Sequence, residues 1–482
     1  MTHALLIAVV IAVLGNALSW CSAIAATRIV PAQFPTIQAA MAASAASGDT
    51  VLVNPGTYHE AVDFLGKEIV LRSAAGAATT IIDAAGFGYV PGVFMSGVGE
   101  RGRLIGFTIK NGAGHVEANA SNGGGVCVIE GTGSGPLISD NVITVNSAFY
   151  GGGVFARGPS RILRNRIVSN SAFVQTGGIS CYGGVLVSEN EIFGNVCTWS
   201  EGSAGGANVN GHFGPLVEFT RNVVACNEAE RAGGCTAHGG FQGTPGVLVD
   251  GNTFVLNRGR SGVGGCLLAI GPNRIVEFRA NIVAFNIQGG GIDCQQSGLP
   301  VDLISSCNDV WGNGPDFLDE DCGPFIGINN NIREEPMFGV FTGCPPGNNA
   351  YCLDDESPML PANSPPGCGL IGARGLCAGI GIADETPAPE AEPNRVSAQP
   401  NPFATRTTLV IDLVAPAEIE LRITNALGRV VAEESLGSLH AGRHRWTWDG
   451  RDALGQKAAA GVYYAEVQAG GRSLVTRLMI LR

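Results

Sequence analysis

The feature that most constrains this 482-residue chain is a double period in glycine and asparagine running from about residue 120 to 315. The glycine mark falls at Gly123-Gly124-Gly125, Gly151-Gly152-Gly153, Gly177-Gly178, Gly205-Gly206, Gly233-Gly234, Gly264-Gly265 and Gly289-Gly290-Gly291. Beyond each mark comes Asn-x-(Ile/Val/Phe)-x-x-Asn, beginning at Asn141, Asn165, Asn190, Asn222, Asn252, Asn281 and Asn308. Marks recur at intervals of about 25 to 31 residues, the length of one solenoid repeat. Between them lie short apolar alternations such as Val185-Leu186-Val187 and Val247-Leu248-Val249. No segment is long enough for a crossover helix, so each repeat holds three brief strands. Strands stacked repeat on repeat, about 4.8 Å apart, make a parallel β-helix.

The asparagine motif also separates inside from outside. Its third position is always apolar (Ile143, Ile167, Ile192, Val224, Phe254, Val283, Val310), whereas its second varies (Val142, Arg166, Glu191, Val223, Thr253, Ile282, Asp309). Alternation along a strand sends the former into the core and the latter toward solvent. Glycine and asparagine both tolerate left-handed backbone, which assigns the marks to turns, and stacked asparagines can hydrogen-bond along the axis.

The chain ends carry their own signals. An apolar run from Ala4 to Leu14, then the small residues Ala23 to Ala26, predicts a secretory signal peptide over residues 1–25. The mature chain is then exported, with no transmembrane span expected. Ile37, Ala40 and Met41 share one face of an expected helix between Thr36 and Ala46, suited to closing the open first coil. Thirteen cysteines remain beyond Cys21. Short spacings such as Cys344/Cys352 and Cys368/Cys377 suggest disulfides of an oxidising compartment, with the pairing open. Only three lysines and a net charge of -12 argue against a nucleic-acid partner.

Pro35-Thr36-Ile37-Gln38-Ala39-Ala40, Gly48-Asp49-Thr50-Val51-Leu52-Val53 and Pro55-Gly56-Thr57-Tyr58-His59-Glu60 resemble the opening coils of bacterial right-handed β-helix proteins of the pectin-lyase-like superfamily. Asn308 to Asn313, Glu335-Pro336-Met337-Phe338 and Asn363-Ser364-Pro365 resemble their closing coils. The resemblance implies an all-β right-handed parallel β-helix over residues 28–382, and it speaks to fold rather than chemistry. Pectinesterase signatures, a Gln-Asp pair and an Asp-Phe-Ile-Phe-Gly-like strand, are missing. Glu60 and its neighbours therefore read as first-coil architecture.

The strand after each glycine mark is where chemistry is expected. Its second and fourth positions should face out, and they hold one carboxylate, Asp293, two coils from His238. A hydrolase needs paired carboxylates, and neither these nor a lyase's acidic calcium set appears on this face. Three consecutive coils instead present Ser180, Tyr182, Asn208, Asn210, Thr236 and His238, with Trp199 and His212 in nearby loops. Hydroxyls, amides and rings suit sugars, so these six residues form the candidate ligand surface. No catalytic residue is assigned. Cys181, Cys235, Cys266 and Cys294 point inward, with Cys235 above Cys266 as a thiol ladder or a disulfide. No cofactor is required, although the acidic loop Asp316 to Asp321 offers oxygen ligands of the kind calcium takes.

Composition changes over residues 384–402, rich in proline and acids, which reads as a linker. About 80 residues of alternating strands follow over 403–482, a small β-sandwich. Pro400-Asn401-Pro402-Phe403, Leu427-Gly428-Arg429, Trp448-Asp449-Gly450-Arg451-Asp452 and Gly461-Val462-Tyr463-Tyr464 resemble the C-terminal sorting domains of type IX secretion cargo and, equally, the Ig-like domain of flagellar hook-capping proteins. That resemblance implies outer-membrane secretion machinery as a partner and a secreted or surface location. Two function classes stay open: a non-catalytic β-helix that binds a polysaccharide or cell-surface glycan, and a polysaccharide lyase or glycoside hydrolase.

Overall fold

A computed structural model describes residues 25–480 apart from 46, 118–119, 213, 241–244, 271–274, 297–302, 315–321, 323–324, 340–343, 345–349, 378–394, 400–402, 404–405, 414–416, 426–428, 440–441, 453–455, 460 and 470–471. Nearly all of the expected leader, the core of the linker and the acidic loop Asp316 to Asp321 lie outside the described residues. The chain divides into two compact units, residues 1–379 and 380–482.

The first unit is a parallel β-solenoid with walls of 11, 10 and 9 strands. One coil shows the path. Val126–Ile129 lies in the third wall, Leu137–Ser139 in the first, Val142–Thr144 in the second, and Ser147–Ala148 in a narrow five-stranded strip that leads to the next glycine mark. The inward positions stack in register: Ile143, Ile167, Ile192, Val224, Phe254, Val283 and Val310 form one continuous buried column. Phe219, Phe254 and Phe278 stack along the same core, with centroids 6.4 and 6.5 Å apart.

The corners are built differently from the expectation. Left-handed backbone falls not on the asparagines but on the residue before each, including Arg164 (φ 54°), Glu189 (φ 59°) and the β-branched Val145 (φ 55°). Such a conformation costs about 1–2 kcal/mol in a non-glycine residue, and the asparagines hold it in place. Each is buried and bonds along the axis in both directions. The Asn195 Oδ1 accepts from the Asn170 backbone N–H (3.0 Å) and Nδ2 (3.1 Å), and the Asn195 Nδ2 donates to Ile167 O (2.8 Å) and Asn227 Oδ1 (3.0 Å). One such column runs from Asn141 through Asn308 and ends on Asn331, while the other runs from Asn146 to Asn313.

Glycine marks serve close approach more than turning. A Cβ on Gly205 would lie 2.5 Å from the Glu228 nitrogen and 2.6 Å from Gly233 O, both backbone atoms of the neighbouring coil. Any side chain there would push the coils apart.

Both solenoid ends are closed. The helix Ile37–Ala43 buries Ile37, Ala40 and Met41, as the pattern predicts, with Thr36 as its N-cap. Glu60 accepts the Ile37 and Gln38 N–H groups at 2.8 Å each, and Lys67 Nζ donates to the carbonyls of Met41, Ala42 and Ser44. Opposite charges at the two helix ends suit its dipole. At the far end, the disulfide Cys294–Cys322 brings Cys322 and Phe325 onto the core.

The described residues of 333–377 then return along the outside of the second wall as a strap. Ala350 and Tyr351 pack on Phe193, Val223, Ala225 and Val255, and Met359, Leu360 and Ile371 pack on Ile282 and Ala284. This covering buries Val223, Thr253, Ile282 and Asp309, so four of the seven motif positions expected in solvent are enclosed. Arg374 bonds Glu191, and Cys226–Cys344 and Cys307–Cys368 staple the strap to the coils. Cysteine pairing is therefore mostly long-range, with Cys352–Cys377 inside the strap, rather than Cys344 with Cys352 or Cys368 with Cys377. Cys235 and Cys266 lie side by side as thiols.

The second unit packs a three-stranded sheet with a four-stranded one. Phe403, Trp448 and Tyr463, one from each of three quoted phrases, meet edge-to-face at 5.8 and 5.4 Å in its core. Its first strand, Arg395–Gln399, falls within the stretch read as linker. No helix among the described residues is long and apolar enough to cross a membrane.

Asn195→Ala should destabilise the solenoid by about 3 kcal/mol, because it strands buried groups above and below at once. Glu201→Ala, in an exposed loop, should stay within about 0.5 kcal/mol; chemical denaturation followed by circular dichroism compares them. Replacing Cys307 and Cys368 together by Ser should leave the β spectrum intact and open the chain near Arg374 to trypsin, read by limited proteolysis and mass spectrometry.

Candidate functional site

The third wall sets the six candidate residues in two registered columns. Ser180, Asn208 and Thr236 lie side by side, as do Tyr182, Asn210 and His238 two positions on. The strands Ile179–Tyr182, Ala207–Asn210 and Cys235–His238 thus bring all six together.

The first column does not face solvent, however. Ser180, Asn208 and Thr236 are buried, because the arms leading into the glycine marks fold across them. Those arms bridge one another at Thr176, Ala204, Ala232 and Val263. Beneath them runs a hydrogen-bond chain: the Tyr182 hydroxyl donates to Gln175 Oε1 (2.7 Å), Asn208 Nδ2 donates to the Tyr182 oxygen (3.3 Å), and the Thr236 hydroxyl donates to Asn208 Oδ1 (2.9 Å). Ser180 reaches the Thr176 hydroxyl at 3.3 Å. Either side of this polar section the same positions are apolar, with Cys127 and Phe155 at one end and Leu267 at the other.

The outer column is less covered. Tyr182 and His238 are half-buried, and Asn210 keeps 8% of its surface. The Asn210 Oδ1 accepts from the His212 N–H at 3.0 Å, and the His212 and His238 rings meet edge-to-face at 5.7 Å. Trp199 is exposed in its loop. This rim offers a phenol, an amide and two imidazoles, hydrogen-bonding groups beside rings. Asp293 lies two coils beyond, in register with Thr236 in the first column, while Gln295 is the register partner of His238 at that coil.

Burial pushes the Tyr182 phenol up to about 12 and raises the inward thiols of Cys181, Cys235 and Cys266 even more strongly. Desolvated thiols of this kind are poor nucleophiles. Among the described residues no group of three His, Cys, Asp or Glu side chains could hold a metal ion.

Gln175 and Thr176 escaped the sequence reading because alternation was followed from the glycine mark forward, whereas the covering arm precedes it. Their signal is positional: Thr176, Ala204, Ala232 and Val263 each stand immediately before a mark.

Comparison with known proteins places the FlgD Ig-like domain family on residues 400–473, within the second unit. Among solved structures, dimeric latent PorU from Porphyromonas gingivalis is similar at 18% identity with a TM-score of 0.16, over 20% of this chain and 10% of that chain. PorZ, described as an essential bacterial surface component of the type-IX secretion system of Porphyromonas gingivalis, is similar at 24% identity with a TM-score of 0.14, over 18% of this chain and 11% of its own. The alignments thus span about a tenth of each of those proteins. No curated protein matches the chain.

Tyr182→Phe should cost about 1–2 kcal/mol, since it removes the hydroxyl that Gln175 Oε1 accepts from and Asn208 Nδ2 donates to. A raised phenol also sets an alkaline limit. Stability is complete below the ordinary tyrosine value of 10.0 and falls as pH climbs toward about 12. The Tyr182 share of that loss should vanish in the Phe variant, as read by melting temperature against pH.

Proposed function

We propose that the protein is a secreted or cell-surface solenoid that binds a polysaccharide or cell-surface glycan without cleaving it, and that its C-terminal sandwich engages the outer-membrane secretion machinery or tethers the protein at the surface. The observation that carries the binding reading is the outer column of Tyr182, Asn210 and His238 on three adjacent coils, in which half-buried Tyr182 and His238 flank a largely buried Asn210, joined by His212. Hydrogen-bonding side chains repeating once per coil suit a ligand that also repeats, and a ring beside them suits the apolar face of a sugar. Ser180, Asn208 and Thr236 belong to this reading as the buried support that orients Tyr182.

Export is supported by the four disulfides, which are stable in oxidising compartments. For the C-terminal unit, support comes from the FlgD Ig-like match and from Phe403, Trp448 and Tyr463, the phrase residues that build its core.

The test is retention on a panel of insoluble polysaccharides, run beside reducing-end and unsaturated-product assays with and without calcium. Retention without turnover, weakened in Asn210→Ala, is the expected outcome. Turnover of any polysaccharide would replace the reading with a lyase or hydrolase. For the second unit, mass spectrometry of the secreted protein should find the C-terminal sandwich removed or linked to a surface anchor; an unmodified C-terminus at Arg482 free in the medium would contradict a sorting role.

A further inference from the structure

We infer that the narrow strip between the second and third walls carries a groove for a neutral oligosaccharide. The tetrapeptide Asn-Ser-Ala-Phe occurs twice, at residues 146–149 and 170–173. Its two copies stack in register, Ser147 on Ser171 and Ala148 on Ala172. The asparagine locks the corner and the alanine is buried, so serine and phenylalanine are left to face outward. Phe149 and Phe173 meet edge-to-face at 5.5 Å, and Phe173 is 55% exposed.

Tyr89, 73% exposed, stands across from them, and Thr198 continues the line on the next coil. The cavity between them holds about 240 Å³. None of its lining residues is charged. The hydroxyls of Ser147 and Ser171 make no hydrogen bond among the described residues, so both are available to a ligand. Large exposed aromatic groups collected in one place on a soluble surface mark a binding site more often than chance. Flat rings beside unengaged hydroxyls match the two faces of a pyranose, one apolar and one rich in OH.

Charge decides between saccharide classes. A uronate chain would bring a carboxylate on each ring to a groove with no cation, on a protein of net charge -12. A neutral chain meets no such repulsion. The groove ends where the strip becomes charged, at Glu228, which pairs with Arg260 at 2.6 Å. Three coils remain, about 10 Å of axis, room for a short run of rings.

The inference rests on the glycan-binding reading and adds a second seat, apart from Tyr182 and Asn210. Isothermal titration calorimetry of the full chain with xylohexaose, cellohexaose, mannohexaose and hexagalacturonate tests it. At least one neutral hexasaccharide should bind and hexagalacturonate should not. The Phe149→Ala/Phe173→Ala variant, with an unchanged melting temperature, should lose about tenfold or more in affinity, as expected when two stacking rings are removed, and Phe149→Tyr/Phe173→Tyr should restore it. Unchanged affinity in the double alanine variant, or binding of hexagalacturonate alone, would overturn the groove. If Asn210→Ala alone abolishes binding, the groove falls and the glycan reading stands; if no saccharide binds, both fall.

Discussion

The structure depends on a carboxamide bonded in both directions along one axis. At each asparagine corner the chain must turn sharply, and at most of them it does so by placing an ordinary residue such as Arg164 or Val145 in left-handed backbone. That choice is unfavourable locally, and it leaves backbone groups facing inward. Asparagine answers both demands, because its oxygen accepts twice from the coil before and its nitrogen donates both to the next asparagine and to a backbone carbonyl. No other side chain offers two acceptor and two donor positions on so short a stem. The coil spacing follows from these bonds, and with it the registered columns of the core and of the outer surfaces.

Glycine complements this from the other side. Where the strip meets the third wall, successive coils run so close that no Cβ fits at Gly205 or Gly177. Asparagine thus sets the spacing at two corners, and glycine permits it at the third. Core volume can then vary from valine to phenylalanine at one inward position, since the fold is specified by corners as much as by packing.

Much of this was legible in the sequence. The period, the inward third position of the asparagine motif, the capping face of Ile37, Ala40 and Met41, and the sandwich phrases around Phe403, Trp448 and Tyr463 all follow from local pattern. What escaped was the covering of one segment by another. Alternation tells which residues leave the core, not whether another part of the chain covers them. Val223 and Ile282 lie under the strap and Ser180 under an arm, and in each case the covering residues are distant or lie on the far side of a mark. The disulfides eluded spacing for the same reason: Cys226 and Cys344 lie 118 residues apart. An apolar residue at an outward position, as at Val223 and Ile282, was the sign available.

Covering also shapes function. The second wall is sealed in its later coils and half of the third wall is closed by its arms, so the two faces proposed to meet a ligand are the Tyr182–His238 rim and the serine-phenylalanine strip. Both inherit their spacing from the asparagine ladders. Amide hydrogen exchange read by mass spectrometry tests that dependence most directly. If the ladders hold the solenoid, the corner amides of Asn141 and Asn146 and their counterparts through Asn281 and Asn286 exchange last and as one block, slower than the strands of the third wall. Exchange of those corners at the rate of ordinary surface turns, with protection residing in the walls alone, would contradict the account.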